Sequence, residues 1–212
     1  MLMKTLLAQG AEAKIYKFSI ENEICVLKER ISKTYRIKEL DEKIRKYRTR
    51  REINILEKAS KIIPVPKLNP ASSEKDFTIV MAYIDGKKLT DCLDDFTDEK
   101  RIRICKEIGK NTALLHNNNI IHGDLTTSNI MLRDNIVYFI DFGLGFIDNK
   151  IEHKAVDLHL LKQALESKHY KHFESSFHTV LEGYKENSRD YDKVINRLNK
   201  VEKRGRYKNR KK

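Results

Sequence analysis

Short runs rich in β-branched and aromatic residues dominate the start of the chain. Three such runs, Lys4–Ala8, Ala13–Ile20 and Glu23–Arg30, are separated by polar turns. This alternation predicts three strands of an antiparallel sheet. Two further strands are predicted at Lys67–Ala71 and Phe77–Ala82, on either side of a polar turn.

A long, basic helix is predicted after the first three strands. It runs from about Tyr35 to Lys61, because apolar residues recur there at helical spacing, and Pro64 and Pro66 end the pattern. The positions that share this spacing are Leu40, Ile44, Tyr47, Arg51 and Ile55.

The second half of the chain is predicted to be mostly helical. Asp98 can act as the N-cap of a helix that extends to about Asn117. Two short strands, Ile130–Arg133 and Ile136–Ile140, follow a polar loop, and the chain from about Ile151 has the spacing of two or three helices. One face of the helix predicted from Asp98 to Asn117 contains Ile102, Cys105, Ile108, Thr112 and Leu115.

These elements indicate an α+β fold of two lobes. We expect a strand-rich lobe over residues 1–84, a helix-rich lobe over 85–203 and a basic tail over 204–212. The linker between the lobes would act as a hinge, with a ligand in the cleft beneath it. The chain has 212 residues with 43 Lys+Arg and 31 Asp+Glu, and its formal net charge of +12 favours polyanionic partners.

Several classes of protein are excluded by composition. The sequence contains no apolar run of the roughly 18–20 residues that a membrane helix needs, and its first residues do not form a signal peptide. The three cysteines are far apart, which supports neither a disulfide framework nor a structural zinc site. We therefore expect a cytoplasmic protein that does not associate with membranes.

The polar segment His122–Asn129 (HGDLTTSN) indicates a particular chemistry more specifically than any other part of the sequence. Asp124 and Asn129 lie five residues apart, and Asp141 of an Asp-Phe-Gly segment follows Asn129 by twelve. Magnesium-dependent phosphoryl transfer needs such a set, in which one carboxylate accepts a proton while an amide and a second carboxylate hold the metal. A plain polar turn is the alternative for the first segment alone, but the second motif at this spacing argues against it.

These motifs, HGDLTTSNI and IDFG, resemble the catalytic and metal-binding segments of the protein-kinase-like fold. In sequence, these two motifs resemble the small atypical serine/threonine kinase/ATPase of the KEOPS complex, which acts in threonylcarbamoyladenosine modification of tRNA. QGAEAKIY, KAVDL and RGRYKNRKK agree with this family, and the resemblance covers essentially the whole chain. It implies a two-lobed fold with a small antiparallel-sheet N-lobe, one long helix and a reduced helical C-lobe without an activation segment.

The resemblance also implies roles for residues of the second lobe. Asp124 would be the catalytic base or the carboxylate that orients the nucleophile, and Asn129 and Asp141 would bind Mg²⁺. Gly123 stands where most protein kinases have the arginine that engages a phosphorylated activation loop. Asp157, in KAVDL, would be a buried helix acid that ties down the catalytic loop.

In the first lobe, the resemblance implies that Lys28 pairs with the α- and β-phosphates, in preference to its rival Lys17. The partner of Lys28 on the long helix would be Glu52, with Glu39, Glu42 and Glu57 as alternatives. The loop over the phosphates has one glycine, and its acid Glu12 would contact either Lys28 or the metal. The residues expected to bind nucleotide are Gln9, Gly10, Ala11, Glu12, Ala13, Lys28, Glu52 and, through hinge backbone groups, Met81, Ala82, Tyr83 and Ile84.

The expected cofactors are ATP with Mg²⁺ or Mn²⁺, and the expected partners are a Kae-type transferase subunit and a Cgi-type small subunit of KEOPS. The basic stretch Arg197–Lys212 could contact tRNA phosphates. A nucleotide-gated scaffold with little kinase activity is the alternative function. RIO-type kinases and aminoglycoside-type phosphotransferases share similar motifs, but they carry an extra domain or a larger substrate lobe for which this chain has no room.

Overall fold

The fold is described from a computed structural model, which covers residues 4–209 and, for residues 204–209, only the helical backbone. The chain divides into two compact units, Met1–Lys61 with Val65–Asp85 and Ile62–Pro64 with Gly86–Lys212. The side chains of the basic tail expected over 204–212 lie outside the described residues. The α+β fold class expected from the sequence is confirmed.

The first unit contains a four-stranded antiparallel sheet and one long helix, α1 (Lys38–Ala59). The sheet has the order β1-β2-β3-β4, so β3 lies between β2 and β4 and pairs with both along its length. One face of the sheet is apolar, with Phe18, Cys25, Leu27 and Val80 as its buried core. The strands are β1 (Thr5–Gln9), β2 (Ala13–Ile20), β3 (Glu23–Arg30) and β4 (Thr78–Ala82).

The buried face of α1 differs from the one that its apolar spacing predicted. Leu40 and Tyr47, two of the predicted positions, are exposed. The buried positions of the helix as far as Glu52 are polar, and two of them, Asp41 and Glu52, form ion pairs. The buried residues of α1 are Asp41, Thr49, Glu52, Ile55, Leu56 and Ala59.

The predicted strand Lys67–Ala71 is wrong. This segment forms a single bridge between Leu68 and Met81, and two backbone bonds, Asn69 N to Val80 O and Ala82 N to Lys67 O, hold it beside β4. Pro66 and Pro70 have no N–H to donate and a fixed φ, which prevents a regular ladder here.

The second unit is mainly helical. Helix α3 packs against α5, and α4 packs against α6. The close approach of the first pair requires Gly109, where a Cβ atom would lie 1.9 Å from the carbonyl oxygen of Val180. The helices are α2 (Leu89–Cys92), α3 (Asp98–Asn117), α4 (Ile151–Lys168), α5 (Phe173–Asn187) and α6 (Tyr191–Asn209).

Two details of α3 correct the sequence prediction. The N-cap is Thr97, whose extended backbone and side-chain oxygen, which accepts from Lys100 N at 3.4 Å, fit that position. Asp98 lies in the first helical turn and pairs with Arg101. Ile102 is exposed, and Ile104 is buried in its place.

Short strands complete the second unit and carry its polar loops. The order β5-β7-β8 forms one small sheet, and β6 pairs with β9. The turn between β7 and β8 contains Asp134 and Asn135, both with positive φ, as a two-residue hairpin of this hand requires. The strands are β5 (Lys87–Lys88), β6 (Ile120–Ile121), β7 (Ile130–Arg133), β8 (Ile136–Phe139) and β9 (Phe146–Ile147).

In the part of the chain that the structure describes, no helix has both the length and the apolar character needed to cross a bilayer. The three cysteines are all buried and unpaired.

Candidate active site

A buried cluster of charges connects β3 to α1 in the first unit. Nζ of Lys28 lies 2.7 Å from Oε1 of Glu52, and Nη2 of Arg30 lies 2.5 Å from Oε2 of the same carboxylate. The exposed fractions of the three side chains are 8%, 4% and 3% for Lys28, Arg30 and Glu52. Of the four acids that the sequence offered as partners of Lys28, the structure therefore pairs Glu52.

The strand period explains why two cations meet one acid. Lys28 and Arg30 are two residues apart on β3, so their side chains leave the same face of the strand. Glu52 is buried on α1, where the helix changes from polar to apolar packing. Its carboxylate thus receives both cations, each on a separate oxygen.

The loop between β1 and β2 is tied to α1 and to the end of β3. Gly10 N donates to Ala13 O at 3.0 Å, and Ile31 N donates to Glu12 O at 3.2 Å. The side chain of Glu12 pairs with Arg48 of α1. The sequence left Glu12 open between Lys28 and a metal, and the structure shows this third partner instead.

The charge around Glu12 keeps its carboxyl ionised. Partial burial raises the pKa of Glu12, but the hydrogen bond and charge of Arg48, with the charges of Arg36 and Arg30, outweigh it and lower the pKa below its usual value. Its negative charge is thus matched by an arginine on α1.

Two of the four predicted hinge residues already use their amide groups. Ala82 N donates to Lys67 O at 2.8 Å, and Tyr83 N donates to Ile24 O at 3.1 Å. These amides hold the segment in the first unit and are engaged there.

In the second unit, Asp124 and Asn129 are joined directly. Nδ2 of Asn129 donates to the main-chain oxygen of Asp124 and to its Oδ2, both at 2.9 Å. Because the amide nitrogen is engaged in this way, the amide oxygen of Asn129 is the atom suited to act as a ligand.

The β7–β8 hairpin brings Asn129 and Asp141 to one end of the same sheet. Ile130 pairs with Phe139, and Ile140 N donates to Asn129 O at 2.9 Å, so the residues just outside the hairpin strands are neighbours. Asp141 has a φ of 60°, and its Oδ1 accepts from Gly143 N at 3.1 Å. The spacing of twelve residues between Asn129 and Asp141 therefore corresponds to the β7–β8 hairpin and the residues that flank it.

Asp157 of α4 fixes the start of the loop that contains Asp124. Its Oδ2 accepts from His122 N at 2.7 Å and its Oδ1 from Gly123 N at 2.8 Å, while Nε2 of His116 lies 3.2 Å from Oδ2. Only 1% of Asp157 is exposed. The prediction that this helix acid ties down the loop is confirmed.

His122 is a neutral, buried member of this network. Its Nδ1 accepts from Asp124 N at 3.3 Å and its Nε2 lies 3.1 Å from Ile140 O, which assigns the proton to Nε2. Burial lowers the pKa of His122 below its usual value of 6.5 and outweighs the opposing charge of Asp157. The ring also packs against Phe142, with centroids 4.7 Å apart.

Gly123 is required by the backbone. Its φ is +79°, and a Cβ atom there would lie 2.4 Å from Leu144 O. The arginine of ordinary protein kinases would therefore not fit this loop as it is built. The chain from Gly143 reaches α4 at Ile151 through the short strand β9.

The residues present fit a magnesium nucleotide. Mg²⁺ takes oxygen ligands and is commonly held by one or two protein groups, with water and phosphate oxygens supplying the rest. Asn129 and Asp141 supply an amide and a carboxylate oxygen at one end of the hairpin. Over the described residues, no three His, Cys, Asp or Glu side chains converge as they would in an all-protein metal cage.

Sequence reasoning missed two arginines of this site. Arg30 was detectable in principle, because a cation two positions after Lys28 shares its face of the strand. Arg48 carried no such signal, since its contact with Glu12 depends on how α1 packs. A third residue, His169, is buried and lies 3.3 Å from Thr127 Oγ1 in the segment His122–Asn129, through a contact between distant parts of the chain.

Known proteins resemble this chain along nearly its whole length. A family model described as a protein kinase domain matches residues 3–179. The KEOPS complex subunit Bud32 of Pyrococcus abyssi is 48% identical, and the match covers 97% of each chain. The EKC/KEOPS complex subunit bud32 of Dictyostelium discoideum is 40% identical over 96% of this chain and 83% of the relative.

A longer relative contains a similar region. A protein of Methanobrevibacter smithii named as a probable bifunctional tRNA threonylcarbamoyladenosine biosynthesis protein is 42% identical. The match covers 97% of this chain but 37% of that protein. A region like this chain is therefore part of a larger polypeptide there.

Proposed function

The chain belongs to the protein kinase domain family and, within it, to the Bud32 subunits of KEOPS complexes, and we propose that it transfers the γ-phosphoryl group of ATP as an atypical serine/threonine kinase or ATPase. One observation carries the proposal. Asp124 is joined to Asn129 by two hydrogen bonds, and the β7–β8 hairpin places Asn129 beside the strand end that leads into Asp141.

Residues of the first unit would take part in nucleotide binding. Lys28 would direct its ammonium group to the α- and β-phosphates, with Glu52 holding it in position. The loop Gln9–Ala13 would cover the phosphates, and backbone groups of Met81–Ile84 would bind adenine. The ion pair of Lys28 with Glu52 supports this part of the proposal, because the same pair positions the phosphate-binding lysine in protein kinases.

Asp124 would act on the nucleophile. Its Oδ2 accepts from Asn129, which fixes the carboxylate, and the group would accept the proton of an attacking hydroxyl or water. Asn129 and Asp141 would hold Mg²⁺ or Mn²⁺, which when bound neutralises phosphate charge. The acceptor would be a protein serine or threonine, this chain itself, or water.

We further propose that the chain acts in the cytoplasm within a KEOPS complex, in tRNA threonylcarbamoyladenosine modification. The names of the relatives from Pyrococcus abyssi and Dictyostelium discoideum support the part of this proposal that concerns the KEOPS complex. A Kae-type transferase subunit and a Cgi-type small subunit would be its partners, and the basic tail would contact tRNA. Three buried, unpaired cysteines are in keeping with a reducing compartment.

A nucleotide-gated scaffold is the second candidate, and Glu12 is the observation that favours it. A carboxylate in the loop expected to cover the phosphates adds negative charge where phosphoryl transfer needs charge to be neutralised, which would slow turnover in an enzyme that still binds nucleotide. Its ion pair with Arg48 reduces this effect, which is why we place the enzyme first.

The experiment is ATP turnover over a range of Mg²⁺ concentrations for wild type and Asp141→Ala. We expect the substitution to abolish magnesium-dependent turnover, because one of two protein ligands is lost. Asp192→Ala, which removes an exposed aspartate of α6, is the matched control and should turn over as wild type does. Wild-type turnover in Asp141→Ala would reject the metal assignment, and nucleotide binding without turnover in wild type would favour the scaffold.

A further inference from the structure

We propose that Arg30 is a positioning residue, which holds Glu52 in place while Lys28 is shared with an ATP phosphate. The inference rests on the proposed function, since it assigns Lys28 to the nucleotide. It concerns how the first unit keeps Glu52 in place when Lys28 also contacts a phosphate.

The geometry divides the Glu52 carboxylate between two cations. Lys28 Nζ takes Oε1 at 2.7 Å, and Arg30 Nη2 takes Oε2 at 2.5 Å. Because each oxygen has its own donor, the carboxylate cannot rotate without breaking one of the two bonds. All three side chains are buried, so solvent does not substitute for either donor.

Burial makes the second cation necessary. A buried carboxylate that loses its only cation is strongly destabilising, whereas one that keeps a partner is not. If Lys28 alone neutralised Glu52, turning its ammonium group toward a phosphate would weaken the only charge that supports Glu52. Arg30 removes this conflict, because a guanidinium stays protonated and holds its planar geometry.

The main chain of Arg30 is held within the sheet. Its amide donates to Phe77 O at 3.0 Å, and in the sheet it stands opposite Ala13, the last residue of the expected phosphate loop. Its side chain therefore joins the strand next to that loop to the middle of α1.

Two more polar contacts lie along the same side of α1. Oδ1 of Asp41 accepts from Lys33 N at 3.3 Å, and Arg48 pairs with Glu12. Asp41, Arg48 and Glu52 are spaced by seven and four residues, which places them on one face of the helix. Arg30 thus supplies the buried member of a row of contacts that fixes α1 against the strands.

The test is a double-mutant cycle on nucleotide affinity. Binding of a non-hydrolysable ATP analogue with Mg²⁺ is measured by calorimetry for wild type, Arg30→Met, Lys28→Met and the double variant. We expect Arg30→Met to weaken binding about tenfold in the wild-type background and to have no further effect in the Lys28→Met background. Arg30→Lys keeps the charge without the planar group and should recover part of the affinity.

A second readout needs no nucleotide. Hydrogen exchange of the amides around Glu52 should speed up in Arg30→Met in the absence of ATP, because α1 loses a buried anchor. The matched control is Arg50→Gln, which removes an exposed α1 arginine paired with Glu74 at 3.3 Å. It should change neither affinity nor exchange around Glu52.

The outcomes separate this inference from the function beneath it. Wild type that binds the analogue, with Arg30→Met binding equally well, overturns the inference and leaves the function standing. A tenfold loss that persists in the Lys28→Met background also overturns it, since Arg30 would then act without Lys28. Wild type that binds no nucleotide overturns both. If Arg30→Met or the double variant, which leaves Glu52 with neither cation, does not fold, Arg30→Gln decides, because it removes the charge and keeps a polar group, and unchanged affinity in that variant rejects the role.

Discussion

The polar centres of the two units are built from different interactions. In the first unit, side-chain charges on separate elements meet, as Lys28 and Arg30 do at Glu52 and Arg48 does at Glu12. In the second unit, one carboxylate, Asp157, accepts two main-chain N–H groups.

This difference indicates where each centre is sensitive. Ion pairs that reach the surface respond to salt, and Glu12 and Arg48 are 47% and 31% exposed. Main-chain hydrogen bonds to a buried acceptor respond to backbone geometry and to loss of the acceptor. The exposed pair of the first centre can therefore adjust while its unit stays folded, whereas Asp157 in the second centre is part of what holds its unit together.

The largest expected effect is on Asp157. Replacing it by alanine leaves the N–H groups of His122 and Gly123 and the ring of His116 without their acceptor. We expect the free energy of unfolding to fall by about 3–5 kcal/mol in chemical denaturation. Asp192→Ala, the exposed control, should change it by less than about 0.5 kcal/mol. A loss below about 1 kcal/mol in Asp157→Ala would show that the loop is held by other contacts.

A pair of glycines, one in each centre, gives the next largest contrast. Gly123→Ala forces a Cβ atom into a left-handed backbone 2.4 Å from Leu144 O, while a Cβ at Gly10 would meet only Ala13 O at 3.9 Å. We expect Gly123→Ala to lower the free energy of unfolding by about 2–3 kcal/mol and Gly10→Ala to change it by less than about 0.5 kcal/mol. Equal effects of the two substitutions would contradict the difference between the centres.

The buried imidazole of the second centre predicts a pH dependence. The pKa of His122 is lowered in the folded chain from 6.5, so the unfolded chain takes up the proton first as the pH falls. Its contribution to stability is complete above that value and declines below it. The free energy of unfolding should therefore fall more steeply between about pH 7 and pH 5 in wild type than in His122→Gln. Parallel curves would mean that His122 is not the neutral group described.

The smallest effect concerns salt in the first centre. Between about 0.1 M and 1 M salt the screening length falls from about 10 Å to about 3 Å, which weakens the exposed pair of Glu12 and Arg48. Hydrogen exchange in the loop Gly10–Ala13 should rise modestly, and exchange in His122–Asn129 should stay the same. Glu12→Ala should remove this salt response. A response of equal size in both loops would reject the contrast.

Much of the fold could be predicted because local signals and packing agree. The bounds of β2 and β3 follow from a turn at Glu21 and Asn22, both with positive φ, between alternating runs. The segment Lys67–Ala71 looked like a strand, but its prolines limit it to one bridge. The face of α1 was mispredicted because apolar spacing cannot show that Asp41 and Glu52 are buried in ion pairs.

The candidate site likewise contains residues that the sequence predicted and residues that it did not. Motif spacing within the chain indicated Asp124, Asn129 and Asp141, because a hairpin of fixed length connects them. The pairing of Lys28 with Glu52 came from the family resemblance. Arg48 depends on the packing of α1 against a distant loop, which spacing alone does not encode.

The most direct test of the central claim is transfer of the γ-phosphate from radiolabelled ATP with Mg²⁺, measured for wild type and Asp124→Ala. Free phosphate and labelled protein are both counted, so that the partition between them distinguishes an ATPase from a kinase. We expect turnover by wild type and a loss of at least about 100-fold in Asp124→Ala, with nucleotide binding retained. Equal turnover in the two proteins, or nucleotide binding without turnover in wild type, would contradict the account.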